Sequence, residues 1–239
     1  MLKLLLLQKQ RAAKQAELKR AMAVAKEFGF EEVYFYGLDE ARGERLLSQR
    51  PAWQACHEAG GRVMVSGYSR NFELMGDLQD LCVYADSASS AKPSDWHSLG
   101  HKIWKYNSPQ AGAEDPDVFR RAYGLYLWSL GYDGASTYCF CGETFGWNDF
   151  DDSRHSNRKS GVKFRALNLG YLTRDGAVAT LAMCGLDSAM KDVRYLSLVQ
   201  RLLRECPNAE ASKWFEAIDF SSDPATVRRQ AIDWILKLR

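Results

Sequence analysis

Five short runs of apolar, β-branched and aromatic residues alternate with helix-like segments, and this alternation constrains the fold more than any other feature of the chain. The runs predict strands at residues 33–38, 62–67, 81–85, 102–107 and 135–140. Strands separated by helices favour parallel β-α units, because a parallel connection needs a crossover. Each run is almost continuously apolar, as expected of a sheet covered on both faces. We therefore predict an α/β fold with about five parallel strands.

The segments between the strands carry the signals of helices. Residues 2–28 are rich in Leu, Ala, Lys, Gln and Glu, and Gly29 follows where glycine often ends a helix. An acidic Asp115-Pro116 start predicts a helix over residues 116–130. The other predicted helices span residues 41–59, 71–78, 188–205 and 223–238. The segment around Pro93 and residues 141–164 are predicted to be loops.

Two architectures fit this pattern, an open doubly wound sheet and part of a (β/α) barrel of the TIM type. Five strands are too few for a closed eight-stranded barrel. No glycine-rich phosphate loop follows any predicted strand, which counts against a nucleotide-binding sheet. Polar and acidic residues follow several strand ends, where barrel enzymes hold their sites. We predict one domain over residues 1–239, a partial barrel with an extra C-terminal helix and a helical tail from about residue 207.

Composition excludes several classes of function. The formal net charge is +2 and the charges are spread along the chain, so nothing favours binding to nucleic acid or to an anionic membrane. The apolar run at residues 4–7 is shorter than a signal peptide or a membrane helix, so a cytoplasmic or mature protein is expected. The six cysteines lack the spacing of zinc ligands. No metal or cofactor is predicted, and Cys82 and Cys139 are expected to be small core residues.

Asp39 and Glu40 follow the first predicted strand directly and are the candidate catalytic pair. Strict alternation would send neighbouring side chains to opposite faces, so both reach one pocket only if the strand curls, which Gly37 could permit. Two close carboxylates repel each other, so that one can stay protonated and act as an acid. The alternative is an exposed pair at the start of the next helix, where the helix dipole favours acidic residues. The residue pattern leaves both readings open.

A second candidate site is the predicted loop GETFGWNDFDD at residues 142–152, because a loop this long in a compact domain is often functional. Trp147 offers an apolar face for a sugar, and Asn148 and Asp149 offer hydrogen bonds to hydroxyls. The alternative is a solvated loop with Trp147 in the core. Four other residues near strand ends would surround the same barrel mouth: Tyr68, Tyr84, Tyr106 and Asn107. The four histidines are scattered and no GxSxG motif is present, so a hydrolase triad has no support.

Residues 102–196 resemble the C-terminal part of barrel proteins in domain-of-unknown-function family 4091. The resemblance is carried by KIWKYNSP, FRRAYGLYLWSLGYDGASTYCF, WNDFD and DGAVATLAMCGLDSAMKDVRYL. That domain also forms the C-terminal part of the glycoside hydrolases of family 123, the β-N-acetylgalactosaminidases. Those enzymes carry an Asp-Glu pair at the end of the fourth barrel strand, and YGLDEA is similar to that motif. The resemblance thus implies that the chain supplies strands four to eight of a barrel.

The same resemblance implies hydrolysis of a 2-acetamido sugar. Glu40 would be the general acid, the substrate's acetamido oxygen would attack the anomeric carbon, and Asp39 would orient the acetamido N–H. Tyr106, Trp147 and Asp149 would contact the sugar. The alternatives are a carbohydrate-binding or assembly module without catalysis, and an unrelated open-sheet enzyme. A half-barrel leaves strand edges uncovered, so we expect a homo-oligomer or a partner chain that completes the barrel.

Overall fold

The computed structural model describes residues 2–106, 115–137, 140 and 169–239. The chain is an α/β protein with a five-stranded parallel sheet and flanking helices, as predicted. It divides into two compact units, one of Met1–Tyr106 with Gly131–Ser136 and one of Asn107–Leu130 with Thr137–Arg239. In the described ranges, no helix has the length and apolar character needed to cross a membrane.

The sheet of the first unit contains five strands in sequential order. They are β1 (Tyr34–Tyr36), β2 (Arg62–Gly67), β3 (Leu81–Tyr84), β4 (Lys102–Tyr106) and β5 (Gly134–Ser136). Every neighbouring pair is parallel, and the order is β1-β2-β3-β4-β5. A doubly wound sheet reverses its strand order at a switch point, and this sheet has no such reversal. The order is consistent with part of a β/α barrel, and the described residues form no closed barrel.

Five helices and one 3₁₀ turn belong to the first unit. They are α1 (Leu2–Glu27), α2 (Gly43–Leu47), α3 (Arg50–Glu58), α4 (Asn71–Met75), α5 (Pro93–Ser98) and the turn Ala88–Ser90. The helix predicted over residues 41–59 is two helices, because Pro51 is tolerated in the first turn of a helix but not in its interior. The loop predicted around Pro93 contains α5, since Pro93 occupies the first turn of that helix.

The helices of this unit cover one face of the sheet. Val63 and Val65 of β2 point to that face and pack in one buried cluster with Leu18, Leu46 and Trp53. Full burial of an aliphatic side chain of this size contributes about 1.5–3 kcal/mol. The free Cys82 is also fully buried, as predicted for a core residue. Cys139 lies outside the described residues.

Two equivalent side-chain contacts tie helices to strands at the N-terminal edge of the sheet. Asp80 precedes β3, accepts a hydrogen bond from the backbone N–H of Val63 at 2.7 Å and pairs with Nε2 of His57 at 2.7 Å. The same pattern recurs with His97, Ile103 and Asp133. In both cases the histidine lies in the last turn of a helix and the strand residue follows six positions later. Histidines that appear scattered in the sequence therefore occupy repeated structural positions.

The second unit is mainly helical. Its elements are α6 (Pro116–Tyr123), α7 (Leu125–Ser129), the antiparallel hairpin of β6 (Gly170–Thr173) and β7 (Gly176–Ala179), α8 (Leu181–Glu205), α9 (Ala209–Glu216) and α10 (Pro224–Leu238). The predicted helix over residues 116–130 is interrupted at Gly124. The hairpin was not predicted, whereas α9 lies within the helical tail predicted from about residue 207. α8 starts earlier than residue 188 because the Thr180 hydroxyl caps it by accepting from the Met183 N–H at 3.2 Å.

A buried ionic network joins three helices of the second unit. The Asp192 carboxylate of α8 is 1% exposed and accepts two hydrogen bonds from the Arg120 guanidinium of α6, at 2.7 and 2.9 Å. Arg228 of α10 donates to the same carboxylate at 2.5 Å and to the Ser188 carbonyl at 2.7 Å. Arginine can satisfy a carboxylate through two parallel hydrogen bonds, which is the geometry that makes such burial tolerable.

Candidate functional site

Asp39 and Glu40 lie just beyond β1, at the C-terminal edge of the sheet, and both residues are exposed. The C-terminal ends of parallel strands meet at the same edge, so the residues after β2 and β3 lie along it too. α2 begins at Gly43 with Arg42 as its N-cap. The pair precedes this cap by two and three residues and is exposed, so the reading of an exposed acidic pair before the helix stays open beside the catalytic one.

Alternation along the strands sets which side chains share a face with the pair. We call the face opposite Val63 and Val65 the aromatic face. By alternation and register it carries Tyr34, Tyr36, Met64, Ser66, Leu81, Val83, Lys102, Trp104 and Tyr106. Tyr36 is 54% exposed, so its ring can contact a ligand.

Asp39 is connected to the aromatic face through Tyr36. The Tyr36 hydroxyl donates to Oδ1 of Asp39 at 2.6 Å and lies 3.0 Å from Oγ of Ser66 on the next strand. The Ser66 backbone N–H donates to the same hydroxyl oxygen at 3.3 Å. Partial burial, followed by the hydrogen bond to Asp39, raises the pKa of Tyr36. These bonds direct the Asp39 carboxylate towards β2.

Glu40 reaches the same region from a different backbone conformation. Its φ is 49°, in the left-handed region, and its N–H donates to the Ser66 carbonyl at 3.2 Å. Its Oε2 accepts a hydrogen bond from the hydroxyl of Tyr68, which continues the alternation of β2 on the aromatic side. The Arg42 guanidinium carbon lies 3.5 Å from the centroid of the Tyr68 ring. The hydrogen bond to Glu40 is the main cause that raises the pKa of Tyr68.

The departure from regular strand conformation lies at Glu40, whose backbone is left-handed, and its side chain bonds Tyr68. The Gly37 N–H still donates to the Met64 carbonyl at 3.0 Å, so it continues the strand ladder. A Cβ at Gly37 would lie 2.9 Å from the Trp53 ring, so glycine is required there for close packing. A non-glycine residue in the left-handed region costs about 1–2 kcal/mol. Gly37 therefore serves close packing against Trp53, and whether it also permits a curl of the strand stays a prediction.

The other candidate residues fall into three groups. Tyr68 contacts Glu40, and Tyr106 lies on the aromatic face in register with Ser136. Tyr84 lies on the helix-covered face, is 2% exposed and shares a hydrogen bond of 2.7 Å with Ser90, so it is not brought to the pair. The remaining candidates lie outside the described residues: Asn107, Trp147, Asn148 and Asp149.

Sequence reasoning missed Tyr36, Arg42 and Ser66 as members of this site. Ser66 could have been recognised from the sequence. It is a hydroxyl residue in the apolar run RVMVSG, and it stands two residues before Tyr68, the spacing of neighbours on one face of a strand. Arg42 had none, because its position over Tyr68 depends on the turn between β1 and α2.

One charged side chain near this edge is deeply buried. Lys105 of β4 is 4% exposed, and its ammonium group donates to the Tyr106 carbonyl. Burial lowers its pKa to about 8, and the charge of Asp86 opposes this shift. Asp86 itself accepts a hydrogen bond from the Ser69 N–H at 2.8 Å. In the described residues, no three His, Cys, Asp or Glu side chains form a group that could bind a metal ion.

No known family model matches the chain, and a search of curated proteins also found no match. The resemblance to family 4091 therefore stays a prediction. The arrangement itself offers two carboxylates that can exchange protons or accept hydrogen bonds, two tyrosine hydroxyls and an exposed aromatic ring at one edge of a parallel sheet.

Proposed function

We propose that the chain hydrolyses β-glycosides of 2-acetamido sugars at the Asp39–Glu40 pair. The observation that carries this proposal is that two exposed carboxylates, adjacent in sequence, each accept a hydrogen bond from a tyrosine hydroxyl at the aromatic face. Glycosidases with two catalytic carboxylates hold them on either side of the scissile bond, about 5–5.5 Å apart when retaining and about 6.5–9.5 Å apart when inverting. Adjacent residues on one strand end are poorly placed to straddle a sugar, so we infer that the substrate's acetamido oxygen is the nucleophile.

In the proposed reaction, Glu40 donates its proton to the glycosidic oxygen as the bond to the anomeric carbon breaks. The acetamido carbonyl oxygen forms a bond to the same carbon and closes a ring. Asp39 accepts a hydrogen bond from the acetamido N–H and balances the positive charge on that ring. The Glu40 carboxylate then takes a proton from the water that opens the ring at the anomeric carbon. Only side chains and substrate take part, so the proposal requires no metal or organic cofactor.

The aromatic face supplies contacts for the sugar. The exposed ring of Tyr36 offers an apolar surface next to Asp39, and Tyr106 lies on the same face. β1 and β4 are three strand spacings apart, about 14 Å along the sheet, so the two tyrosines suit different parts of a substrate longer than one sugar. Trp147 and Asp149 remain proposed contacts.

The proposal is tested by side-by-side hydrolysis of aryl N-acetyl-β-galactosaminides and N-acetyl-β-glucosaminides and of the matching galactosides and glucosides. We expect cleavage of the acetamido sugars alone, with inhibition by a thiazoline mimic of the cyclic intermediate that weakens in Asp39→Ala. Glu40→Gln should lower turnover of a poor leaving group by about 100- to 10,000-fold, the usual contribution of general acid catalysis. Glu44→Gln, an exposed change in α2, is the matched control. Equal cleavage of sugars without the acetamido group would contradict the mechanism.

A second candidate is a carbohydrate-binding module without catalysis. The exposure of both carboxylates favours it, because catalytic sites usually exclude water around the reacting groups. Line broadening of N-acetylhexosamine signals in nuclear magnetic resonance spectra, in the absence of any turnover, would support this candidate over the hydrolase.

We further propose that a second copy of the chain, or a partner chain, pairs with the free edge of the sheet. Among the described strands, β1 pairs only with β2, so its outer edge is free. Large apolar side chains near that edge are exposed, namely Phe28, Phe30, Tyr36 and Leu38. A free strand edge beside apolar surface favours association with another chain.

A further inference from the structure

The outer edge of β1 carries backbone groups that point away from the sheet. The Gly37 N–H donates to the Met64 carbonyl of β2 at 3.0 Å, and the Val33 carbonyl accepts from β2 at 3.3 Å. The odd-numbered residues of this segment therefore bond β2. Since successive residues of a strand bond in opposite directions, the N–H and C=O groups of Tyr34 and Tyr36 face outwards. Among the described strands only β2 pairs with β1, so this edge can accept one more strand.

Gln49 occupies the position of such a strand at one end of the edge. Leu38 is the next outward-facing residue, and its N–H donates to Oε1 of Gln49 at 2.6 Å, as it would to the carbonyl of a neighbouring strand. Within the described part of the chain, Nε2 of the same amide is buried and has no hydrogen-bond partner. A buried donor without an acceptor costs free energy, so an acceptor that reaches it binds favourably. The carbonyl of an added strand is such an acceptor.

Helix α1 runs beside this edge and leaves two cavities along it. The first, of about 220 Å³, lies between Leu18 of α1 and the backbone around Gly37, with Gln49 and Trp53 in its wall. The second, of about 540 Å³, lies between Lys26 of α1 and residues 31–33. The eight residues from Leu18 to Lys26 advance about 12 Å along the helix. Side chains four residues apart on one face of a strand are about 13 Å apart, so one extended segment can reach both cavities.

The linings of these cavities suit uncharged, apolar side chains. Lys14 is the charged residue in the lining of the smaller cavity, and its ammonium group already bonds Glu17 at 2.9 Å. The larger cavity is lined by two cationic and two anionic residues, so its lining carries no net charge. Its apolar lining includes Met22 and the exposed ring of Phe30. A segment with a charged side chain at either position would lose hydration without gaining a partner of opposite sign.

We propose that the edge of β1 binds an extended peptide segment of a partner chain as an added strand, with apolar side chains four residues apart in the two cavities. The inference rests on the pairing with the free edge proposed above, for which it names the chemistry of the partner, and it does not depend on hydrolysis. In this mode of recognition the backbone hydrogen bonds give affinity, and the pockets for alternate side chains give specificity. The bound segment also supplies the acceptor for Nε2 of Gln49.

The test uses fluorescence polarisation of a labelled heptapeptide that has phenylalanine at its second and sixth positions, valine at its fourth and threonine elsewhere. Two matched peptides carry backbone N-methyl groups, one on its even positions and the other on its odd positions. Only one of these sets faces β1 in an added strand. We expect the unmodified peptide and one methylated isomer to bind, and the other isomer to bind at least about tenfold more weakly, since it loses several hydrogen bonds. Equal affinity of the two isomers would overturn the proposal.

Variants of the chain locate the binding. Tyr34→Pro removes an outward N–H at a position where an edge strand tolerates proline, and it should weaken binding by about tenfold. Its control, Tyr34→Val, keeps the N–H and should bind like the wild type. Gln49→Glu keeps the acceptor for Leu38 and removes the unpaired donor, so it should also weaken binding. Ala52→Phe fills the smaller cavity from an exposed position of α3, and it decides the question if Tyr34→Pro does not fold.

Binding that is unchanged in Tyr34→Pro and Ala52→Phe would overturn the proposed site. Light scattering of the same variants distinguishes this failure from a failure of the edge itself. If no peptide binds and Tyr34→Pro still converts the wild-type assembly into a monomer, the edge pairs with a second copy and the peptide proposal is wrong. If no peptide binds and Tyr34→Pro leaves the assembly unchanged, both proposals are wrong.

Discussion

Replacing the buried Lys105 by methionine should stabilise the first unit at neutral pH. Methionine keeps the unbranched stem and removes the charge. Burial lowers the pKa of the Lys105 amine from 10.5 to about 8. Since one pKa unit corresponds to about 1.4 kcal/mol, the buried charge costs about 3 kcal/mol. The variant also loses the hydrogen bond to the Tyr106 carbonyl, which destabilises it by about 1 kcal/mol, so the net stabilisation is about 2 kcal/mol.

The pH dependence of this gain identifies its cause. Between the folded pKa of about 8 and the unfolded value of 10.5, the unfolded chain holds a proton that the folded chain has lost. The contribution of Lys105 to the stability of the wild type therefore rises with pH in that window. The full cost of burying the charged amine is present below pH 8. The advantage of Lys105→Met should shrink by about 2 kcal/mol from pH 7 to pH 9.5. The thiols of Cys56 and Cys82, whose pKa values burial raises, titrate equally in both proteins and cancel.

Urea unfolding followed by circular dichroism at pH 7 and pH 9.5 measures these differences. Lys102→Met is the matched control on the same strand, because Lys102 is exposed and its hydrogen bond to Glu32 raises its pKa. The control should be neutral or slightly less stable than wild type, without a change between the two pH values. A Lys105→Met protein that is less stable at pH 7, or whose advantage is the same at both pH values, would refute the argument.

Two predictions concern the second unit and the assembly. Asp192→Asn should lower the free energy of unfolding by about 3–5 kcal/mol, because it leaves Arg120 and Arg228 close together without their carboxylate. The control Asp187→Asn, which removes an exposed ion pair on the same helix, should cost less than about 1 kcal/mol. Urea unfolding followed by tryptophan fluorescence measures both. Light scattering should show a dimer or a larger assembly of the chain, and a stable monomer at high concentration would contradict the proposal that a second copy pairs with the free edge of the sheet.

The sequence predicted the strands of the first unit closely, because each is a short apolar run between turn signals. The predicted strand at residues 62–67 coincides with β2, and the strands predicted at 81–85 and 102–107 overlap β3 and β4. Helix bounds were less accurate. Proline was read as a loop signal at Pro93 and was overlooked at Pro51, although in both cases it marks the first turn of a helix.

The candidate site was predicted in part. Asp39 and Glu40 could be placed at a strand end, since the apolar run stops just before them. Tyr36 lies inside the strand predicted at residues 33–38, which was expected to be buried. Tyr84 was expected to lie at the mouth of the barrel. Their actual faces follow from strand register, which places Tyr84 opposite Gly67 and directs it to the helices. Register depends on pairing between segments that are distant in sequence, so local patterns do not contain it.

The sequence by itself determined the alternation of strands and helices, the parallel sheet and the position of two acidic residues at the end of its first strand. Only the tertiary structure decided the strand order, the face on which each side chain lies and the left-handed conformation of Glu40 that turns its carboxylate to Tyr68. The difference has a physical reason. Burial of apolar residues is encoded locally by composition and period. The contacts of Glu40, Tyr68 and Arg42 arise because β2 lies beside β1, and that neighbourhood is created by folding of the whole unit.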